Sequence, residues 1–330
     1  MDPVTVADYH TAGEPFRIVT SGGPDVPGAS VPERRAYAQS SASVDAVRQL
    51  LVNEPRGHAD MYGGFIVPGN DDGAHFGVLF WHKDGYSTAC GHGTIALGTW
   101  AVESGLVAAE PDGVTDVVID VPSGRVVARV TCAGGSVDRV AFRNVPSYVD
   151  RRGVPVSISR GEVLADISFG GAFYASVAAS SVGLSVSPSY YAELIAVGRE
   201  IKWALDSQAV HPTDPRLNGM YGTIWYDDLG QSADGPHQRN VAVFADGEVD
   251  RSPCGSGTSA RLALLYDEGR LSAGQVLRHE SIVGTTFVGR VIEETAGGVI
   301  TEVEGAAYRT GTATFTLDPR DPLGTGFTLR

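Results

Sequence analysis

The chain writes one short stretch twice, and this repeat constrains its fold more than any other feature. Ser87-Thr88-Ala89-Cys90-Gly91-His92-Gly93-Thr94-Ile95-Ala96-Leu97 is answered by Ser252-Pro253-Cys254-Gly255-Ser256-Gly257-Thr258-Ser259-Ala260-Arg261-Leu262, so Cys-Gly-x-Gly-Thr-x-Ala recurs in register. The offset, 254 − 90 = 164, is almost half of the 330 residues. Two similar halves, each built round one such loop, are the simplest account of that period. After each Cys come two glycines, a Thr and a helix-like run, Ile95 to Val102 and Ala260 to Leu265. Each run stops at a glycine, Gly105 or Gly269, as helices commonly do.

Each copy therefore sets a thiol and several small-residue N–H groups at the entrance of a helix. Such an end carries partial positive charge and donors without intrahelical acceptors; it attracts anions and favours thiolate over thiol. Two such ends facing each other would hold one small carboxylate between two thiols. Moving a proton from one face of a carbon to the other needs a pair of opposed acid/base groups.

Composition narrows the class. With 42% hydrophobic residues the chain has enough apolar surface for one full core and a second, and 42 glycines with 18 prolines favour turns and short strands over a helical bundle. A net charge of −14 argues against nucleic acid or an anionic membrane as partner. No apolar run approaches a membrane span, and Met1-Asp2-Pro3 shows no basic or apolar leader, so a cytoplasmic protein is expected. Three cysteines make no disulfide framework, and Cys132 reads as a strand residue in the core. The two lysines, Lys83 and Lys202, lack a phosphate-binding context, which weakens a pyridoxal-phosphate route to amino-acid chemistry. No His/Asp/Glu/Cys spacing matches a zinc or iron site. No cofactor is expected.

In order, residues 8–19 read as strand, polar corner and strand, and the corner reads as hydrogen-bonded more readily than as a site wall. Ser41 to Leu51 is an amphipathic helix, and Met61 to Val67 and Phe76 to His82 are buried strands. Val117 to Val121 and Val126 to Val130 form a hairpin round Pro122-Ser123-Gly124; Arg139 to Val145 is another strand. The polar Asp150-Arg151-Arg152-Gly153 is the candidate boundary between halves 1–150 and 151–311, with the last strand, about 312–330, returning to the first. Val163 to Ala175 reads as a strand in which Gly170-Gly171 permits close backbone approach. Ser187-Pro188 opens a long helix; Thr223 to Tyr226, Asn240 to Ala245 and four later segments, among them Ala313 to Leu317, are strands.

The duplication makes Cys90 and Cys254 the candidate catalytic pair, because packing thiols would not need the same Gly-x-Gly-Thr context twice. His92 invites a Cys–His dyad, but Ser256 stands at the matching place, so its backbone N–H is the shared element and its ring is expected to pack or orient. Asp250, at a strand end four residues before Cys254, is placed to counter an ammonium group.

These residues resemble the proline racemase family. The likeness runs through Asp8-x-His10-Thr11-x-Gly13-Glu14-Pro15-x-Arg17, Glu54 to Gly63, Cys90 to Thr94, Asn144 to Ser147 and Asp250 to Gly255. It implies an α/β (α+β), diaminopimelate-epimerase-like fold: two pseudo-symmetric halves, each wrapping a sheet round a central helix, with a cofactor-free site in the cleft. It implies a proline racemase, a 4-hydroxyproline 2-epimerase or a trans-3-hydroxy-L-proline dehydratase acting on a free amino acid, and a homodimer. Cys90 and Cys254 match the family's acid/base thiols; Gly91, His92, Gly255 and Ser256 match the donors to the substrate carboxylate; Asp250 matches the ligand of the ring nitrogen. The dehydratases typically carry Thr where Cys254 stands, so its thiol favours racemisation or epimerisation. Hydroxyproline epimerases often carry His where Gly222 stands beside Tyr221. Remoter readings are a single-Cys thiol hydrolase or peroxidase and a non-catalytic amino-acid-binding protein.

Overall fold

A computed structural model describes residues 2–329, and the chain divides into two compact units. One holds the residues up to Val140 and those from Ala306 on; the other is Ala141–Gly305.

In the first unit, β1 (Val4–Thr11) and β2 (Glu14–Ser21) make an antiparallel hairpin that turns at Ala12 and Gly13, both with positive φ (52° and 100°). Helices α1 (Val31–Ser40) and α2 (Ala42–Val52) follow, capped by the side chains of Ser30 and Ser41. β3 (Gly63–Val67) runs parallel to β2, β4 (Phe76–His82) antiparallel to β3, and β5 (Gly85–Tyr86) pairs with β4. Then come α3 (Gly91–Glu103), β6 (Gly113–Val121) parallel to β4, β7 (Gly124–Ala133) antiparallel to β6, and β8 (Ser136–Arg143).

The second unit repeats the succession. β9 (Tyr148–Ile158), β10 (Gly161–Phe169) and β11 (Phe173–Ala178) are antiparallel neighbours, followed by α4 (Tyr191–Leu205). β12 (Met220–Ser232) runs parallel to β11, β13 (Gly235–Phe244) antiparallel to β12, and β14 (Glu248–Asp250) antiparallel to β13. After α5 (Gly255–Asp267), β15 (Leu277–Ser281) is parallel to β13, and β16 (Thr286–Thr295) and β17 (Gly298–Gly305) complete an antiparallel run. β18 (Ala307–Phe315) returns to the first unit and pairs with β1, as β9 pairs with β10.

The motif helices are the axes of the two units. α3 packs on β1, β2, β6, β7 and β18; α5 packs on β9, β10, β11, β16 and β17. Gly91 to Thr99 and Gly255 to Leu265 are buried on all sides, which explains why neither run shows the one-sided apolar stripe of a surface helix. Both helices end where the glycines predict: Gly105 and Gly269 have φ of 73° and 69°.

Four details differ from the sequence reading. The division falls at Val140/Ala141 and Gly305/Ala306, where the sequence suggested 150/151 and about 312. The charges of residues 150–153 belong to strand β9, with Arg152 paired to Asp267 and Glu268 of the same unit. Val163 to Ala175 is not one strand: Gly170-Gly171 turns the chain, and Phe169 pairs with Phe173 across the turn. A Cβ on Gly170 would lie 2.3 Å from the Ser256 carbonyl oxygen, so the close approach is to the head of α5. Helix α1 escapes a periodicity reading because its sequence is polar, although Ser30 followed by Pro32 is a start signal. No helix among the described residues is long and apolar enough to cross a membrane.

Candidate active site

The first loop begins where β5 hands the chain to α3. Cys90 is the N-cap residue, with extended backbone (φ −155°, ψ 102°), and its Sγ accepts the Gly93 N–H at 3.2 Å. The sulfur folds back over the helix start, leaving no room for a side chain at the second motif glycine. A Cβ on Gly93 would lie 2.7 Å from Sγ and 2.4 Å from the Phe16 ring. Thr94 anchors the turn through its N–H and hydroxyl, 3.0 and 2.8 Å from the Cys90 carbonyl oxygen.

The His92 ring packs edge-on against Phe16 and Tyr62 and reaches the thiol as well. Both ring nitrogens lie 3.5 Å from Cys90 Sγ, so neither is singled out as its partner. The ring packs, as the Ser at the matching place of the second loop predicts, and the same packing places it beside the thiol. The β1–β2 corner is hydrogen-bonded: Arg17 bridges Asp8 at 2.8 Å and donates to the carbonyls of Leu51 and Arg56. Thr11 in that hairpin donates to the His92 carbonyl at 2.9 Å, bracing the helix entrance.

The second loop leaves β14 at Asp250, which is buried. Asp250 Oδ1 accepts the Ser252 N–H at 2.8 Å and the Ser252 hydroxyl at 2.6 Å, and Ser252 Oγ accepts the Cys254 N–H at 3.0 Å. Cys254 has φ 61° and ψ 100°, an uncommon backbone for a residue with a side chain, and forms no cap hydrogen bond. Its Sγ lies 3.7 Å from the Tyr174 hydroxyl, which is 2.7 Å from Ser256 Oγ. Tyr174 stands edge-on to Tyr221, which stacks on Phe244. Ala172, Tyr174, Ile224, Ala242 and Ala260 pack with Cys254 in one cluster.

Burial pushes the Cys254 thiol well above its ordinary range, and the Asp250 carboxylate pushes the same way. The Tyr174 hydroxyl and the Gly257 amide favour the thiolate but are smaller effects. The helix end alone suggested a thiolate; at Cys254 desolvation outweighs it. Gly222 lies in β12 where a Cβ would meet the Val243 carbonyl oxygen at 2.8 Å, so a larger residue would need the strand to shift.

Within the second unit, then, Cys254, Asp250, Gly255 and Ser256 gather at the head of α5; within the first, Cys90, Gly91 and His92 gather at the head of α3. Sequence reasoning missed Tyr174 and Ser252. Ser252 had a local signal, a hydroxyl two residues after an Asp; Tyr174, 80 residues from Cys254, had none.

The chain belongs to the proline racemase family, which it matches over residues 6–328. It is 48% identical to a trans-3-hydroxy-L-proline dehydratase of Burkholderia cenocepacia, covering 99% of this chain and 98% of that one. It is 47% identical, with the same coverage, to a 3-hydroxyproline 2-epimerase of Burkholderia multivorans. Among solved structures it is similar to a hydroxyproline epimerase from Agrobacterium vitis with bound trans-4-OH-L-proline: TM-score 0.91 at 30% identity, covering 99% and 96% of the two chains. Its fold is the mixed α/β, diaminopimelate-epimerase-like fold, and it is an enzyme of this family.

Proposed function

We propose that the protein is a cofactor-independent, two-thiol 2-epimerase of 3-hydroxyproline. The observation that carries this is a thiol at the head of both central helices, in a chain 47–48% identical to relatives named for 3-hydroxyproline chemistry. Inverting an α-carbon needs one group to take the proton and another to return one to the opposite face. Cys90 and Cys254 fill these roles, and they exchange for the other epimer. The amides of Gly91, His92, Gly255 and Ser256 receive the substrate carboxylate, on which charge builds as the α-proton leaves. Asp250 receives the ring ammonium.

Burial and Asp250 push the Cys254 thiol toward its protonated form, which suits it to the acid's role in the free enzyme and, in a two-thiol scheme, leaves the base's role to Cys90. A cationic ring nitrogen beside Asp250 offsets that carboxylate's push and makes the reverse assignment accessible. The family resemblance adds a homodimer, checked by sedimentation.

The second reading is dehydration of trans-3-hydroxy-L-proline, favoured by the relative of that name. It starts from the same proton removal: the C2–H electron pair forms a C2–C3 double bond, the C3 hydroxyl leaves as water, and the enamine tautomerises to a cyclic imine. Incubation with trans-3-hydroxy-L-proline in D2O, followed by NMR, separates the two. Epimerisation gives cis-3-hydroxy-D-proline carrying deuterium at C2; dehydration gives Δ1-pyrroline-2-carboxylate and no epimer. No C2 exchange with 3-hydroxyproline, 4-hydroxyproline or proline, together with no Δ1-pyrroline-2-carboxylate from trans-3-hydroxy-L-proline, sinks both readings.

A further inference from the structure

Thr94 and Thr258 hold matching places in the two loops but bond differently. The Thr94 hydroxyl lies 2.8 Å from the carbonyl oxygen of Cys90 itself, whereas the Thr258 hydroxyl lies 3.0 Å from that of Pro253, one residue further back. The positive φ of Cys254 goes with this change of partner. The Pro253 oxygen also lies 3.0 Å from Asn240 Nδ2 on β13. Behind both stands His279 on β15, with Nε2 2.7 Å from Asn240 Nδ2 and Nδ1 2.8 Å from Thr258 Oγ1. Asn240, Thr258 and His279 are all fully buried.

One arrangement of protons satisfies these four contacts. The Pro253 oxygen only accepts, so the Asn240 nitrogen, not its oxygen, must face it. That nitrogen then donates to His279 Nε2, which carries no proton. Nδ1–H donates to Thr258 Oγ1, and the hydroxyl's own hydrogen is left for Pro253. The imidazole is therefore neutral. Burial, with the charges of Arg261 and His237 adding to it, lowers the His279 pKa to about 3, so it stays neutral at working pH.

We propose that Asn240, His279 and Thr258 are positioning residues that clamp the Pro253 carbonyl and so hold Cys254 in its strained backbone, with the sulfur beside Tyr174 and off the helix cap. In the first loop the Thr94 hydroxyl goes to the Cys90 carbonyl instead, and Cys90 lies in the extended, capping conformation. Released, Cys254 relaxes toward that conformation and its sulfur moves into full capping position on the Gly257 N–H, whose pull toward the thiolate is only a small effect in the held conformation. The functional consequence rests on the two-thiol reading above; the clamp itself does not.

The test is Thr258→Val against Thr258→Ser. Valine keeps the shape and loses the hydroxyl, so kcat for C2 epimerisation should fall about 10- to 100-fold while KM stays within about twofold. Serine, which keeps the hydroxyl, should return kcat to within about threefold of wild type. Alkylation of Cys254 by iodoacetamide at pH 7, followed by peptide mass mapping, needs no substrate. It should be about tenfold faster in Thr258→Val, because in the capping position the Gly257 N–H favours the thiolate more strongly, and near wild type in Thr258→Ser. Cys90 in the same sample should be unaffected. Unchanged Cys254 alkylation in Thr258→Val overturns the clamp, and so does a Thr258→Ser variant as impaired as Thr258→Val. If Thr258→Val does not fold, His279→Asn, which keeps a donor toward Thr258 and loses the link to Asn240, must raise Cys254 alkylation. Unchanged alkylation in that variant is equally fatal. Altered alkylation in a protein that exchanges no α-proton leaves the clamp standing and removes the epimerase reading.

Discussion

The two cysteine loops share Cys-Gly-x-Gly-Thr-x-Ala, and both feed a helix buried on every side, yet their backbones differ. Cys90 is extended and caps its helix; Cys254 has φ 61° and does not. The Cys90 sulfur touches an imidazole, whereas the Cys254 sulfur has a phenol beside it and a buried carboxylate that raises its pKa. The residues before each Cys account for the divergence. Ser252 takes the Cys254 N–H and Pro253 offers its carbonyl to the Asn240 amide and the Thr258 hydroxyl, whereas in the first loop the matching Thr94 hydroxyl goes to the carbonyl of Cys90 itself. A shared motif thus fixes the helix and its glycines, and the flanks and their tertiary partners fix the state of the thiol.

The strongest test of this pairing removes each thiol in turn. Cys90→Ser and Cys254→Ser should each lower epimerisation at least about 10³-fold with the fold retained, because one base cannot serve both faces of a carbon. C2 exchange and circular dichroism on the same preparations check it. If one variant keeps more than a few per cent of activity, roughly, the two loops are not functional counterparts.

The glycines should respond unequally. In Gly93→Ala the new methyl meets the Phe16 ring at 2.4 Å and Cys90 Sγ at 2.7 Å. In Gly257→Ala it meets Cys254 Sγ at 2.9 Å and Ile224 Cδ1 at 3.0 Å, contacts with side-chain ends that can move. Denaturant unfolding should show a loss of about 2–3 kcal/mol for the first and about 1 kcal/mol for the second. Equal losses would mean that the loops are packed alike.

Each unit also buries a neutral histidine, His82 in the first and His279 in the second, each with its pKa lowered to about 3, chiefly by burial. The folded pKa lies below the unfolded value of about 6.5, so the unfolded chain binds more protons between pH 6.5 and 3. The stability these groups contribute is therefore whole above about pH 6.5 and declines as pH falls toward 3, by at most about 1.4 kcal/mol per pH unit for each histidine. Replacing His279 with Gln should flatten half of that slope. An unchanged acid limb in urea titrations would show that the second unit does not bury a neutral ring.

The smallest effect is electrostatic. Asp250→Asn should move the pH midpoint of Cys254 alkylation downward and leave that of Cys90 in place, because the carboxylate raises only the thiol beside it. An upward shift or none would leave burial as the sole cause.

Much of this molecule is legible in the chain because the signals are local. Cys-Gly-x-Gly before an apolar run, closed by Gly105 or Gly269, specifies a helix entrance and exit whatever surrounds it. The 164-residue offset specifies that the architecture happens twice, and Ser41 specifies the start of α2. By itself the sequence determined the two helices, the thiols at their heads and the family. Tertiary structure decided the rest. The charged run 150–153 as part of a strand depends on its pairing with β10 and the division at Val140 on contacts across the whole unit, while the turn at Gly170-Gly171 is a local hairpin whose paired glycines also fit a strand with close backbone approach. Neither the protonation of Cys254 nor its backbone is written in its motif. The first follows from desolvation beside Asp250 and the second from hydrogen bonds with Asn240 and Thr258, the latter braced by His279. Helix and turn preferences act over a few neighbouring residues, whereas the charge state and backbone of a buried thiol depend on every group that excludes water from it or bonds its peptide.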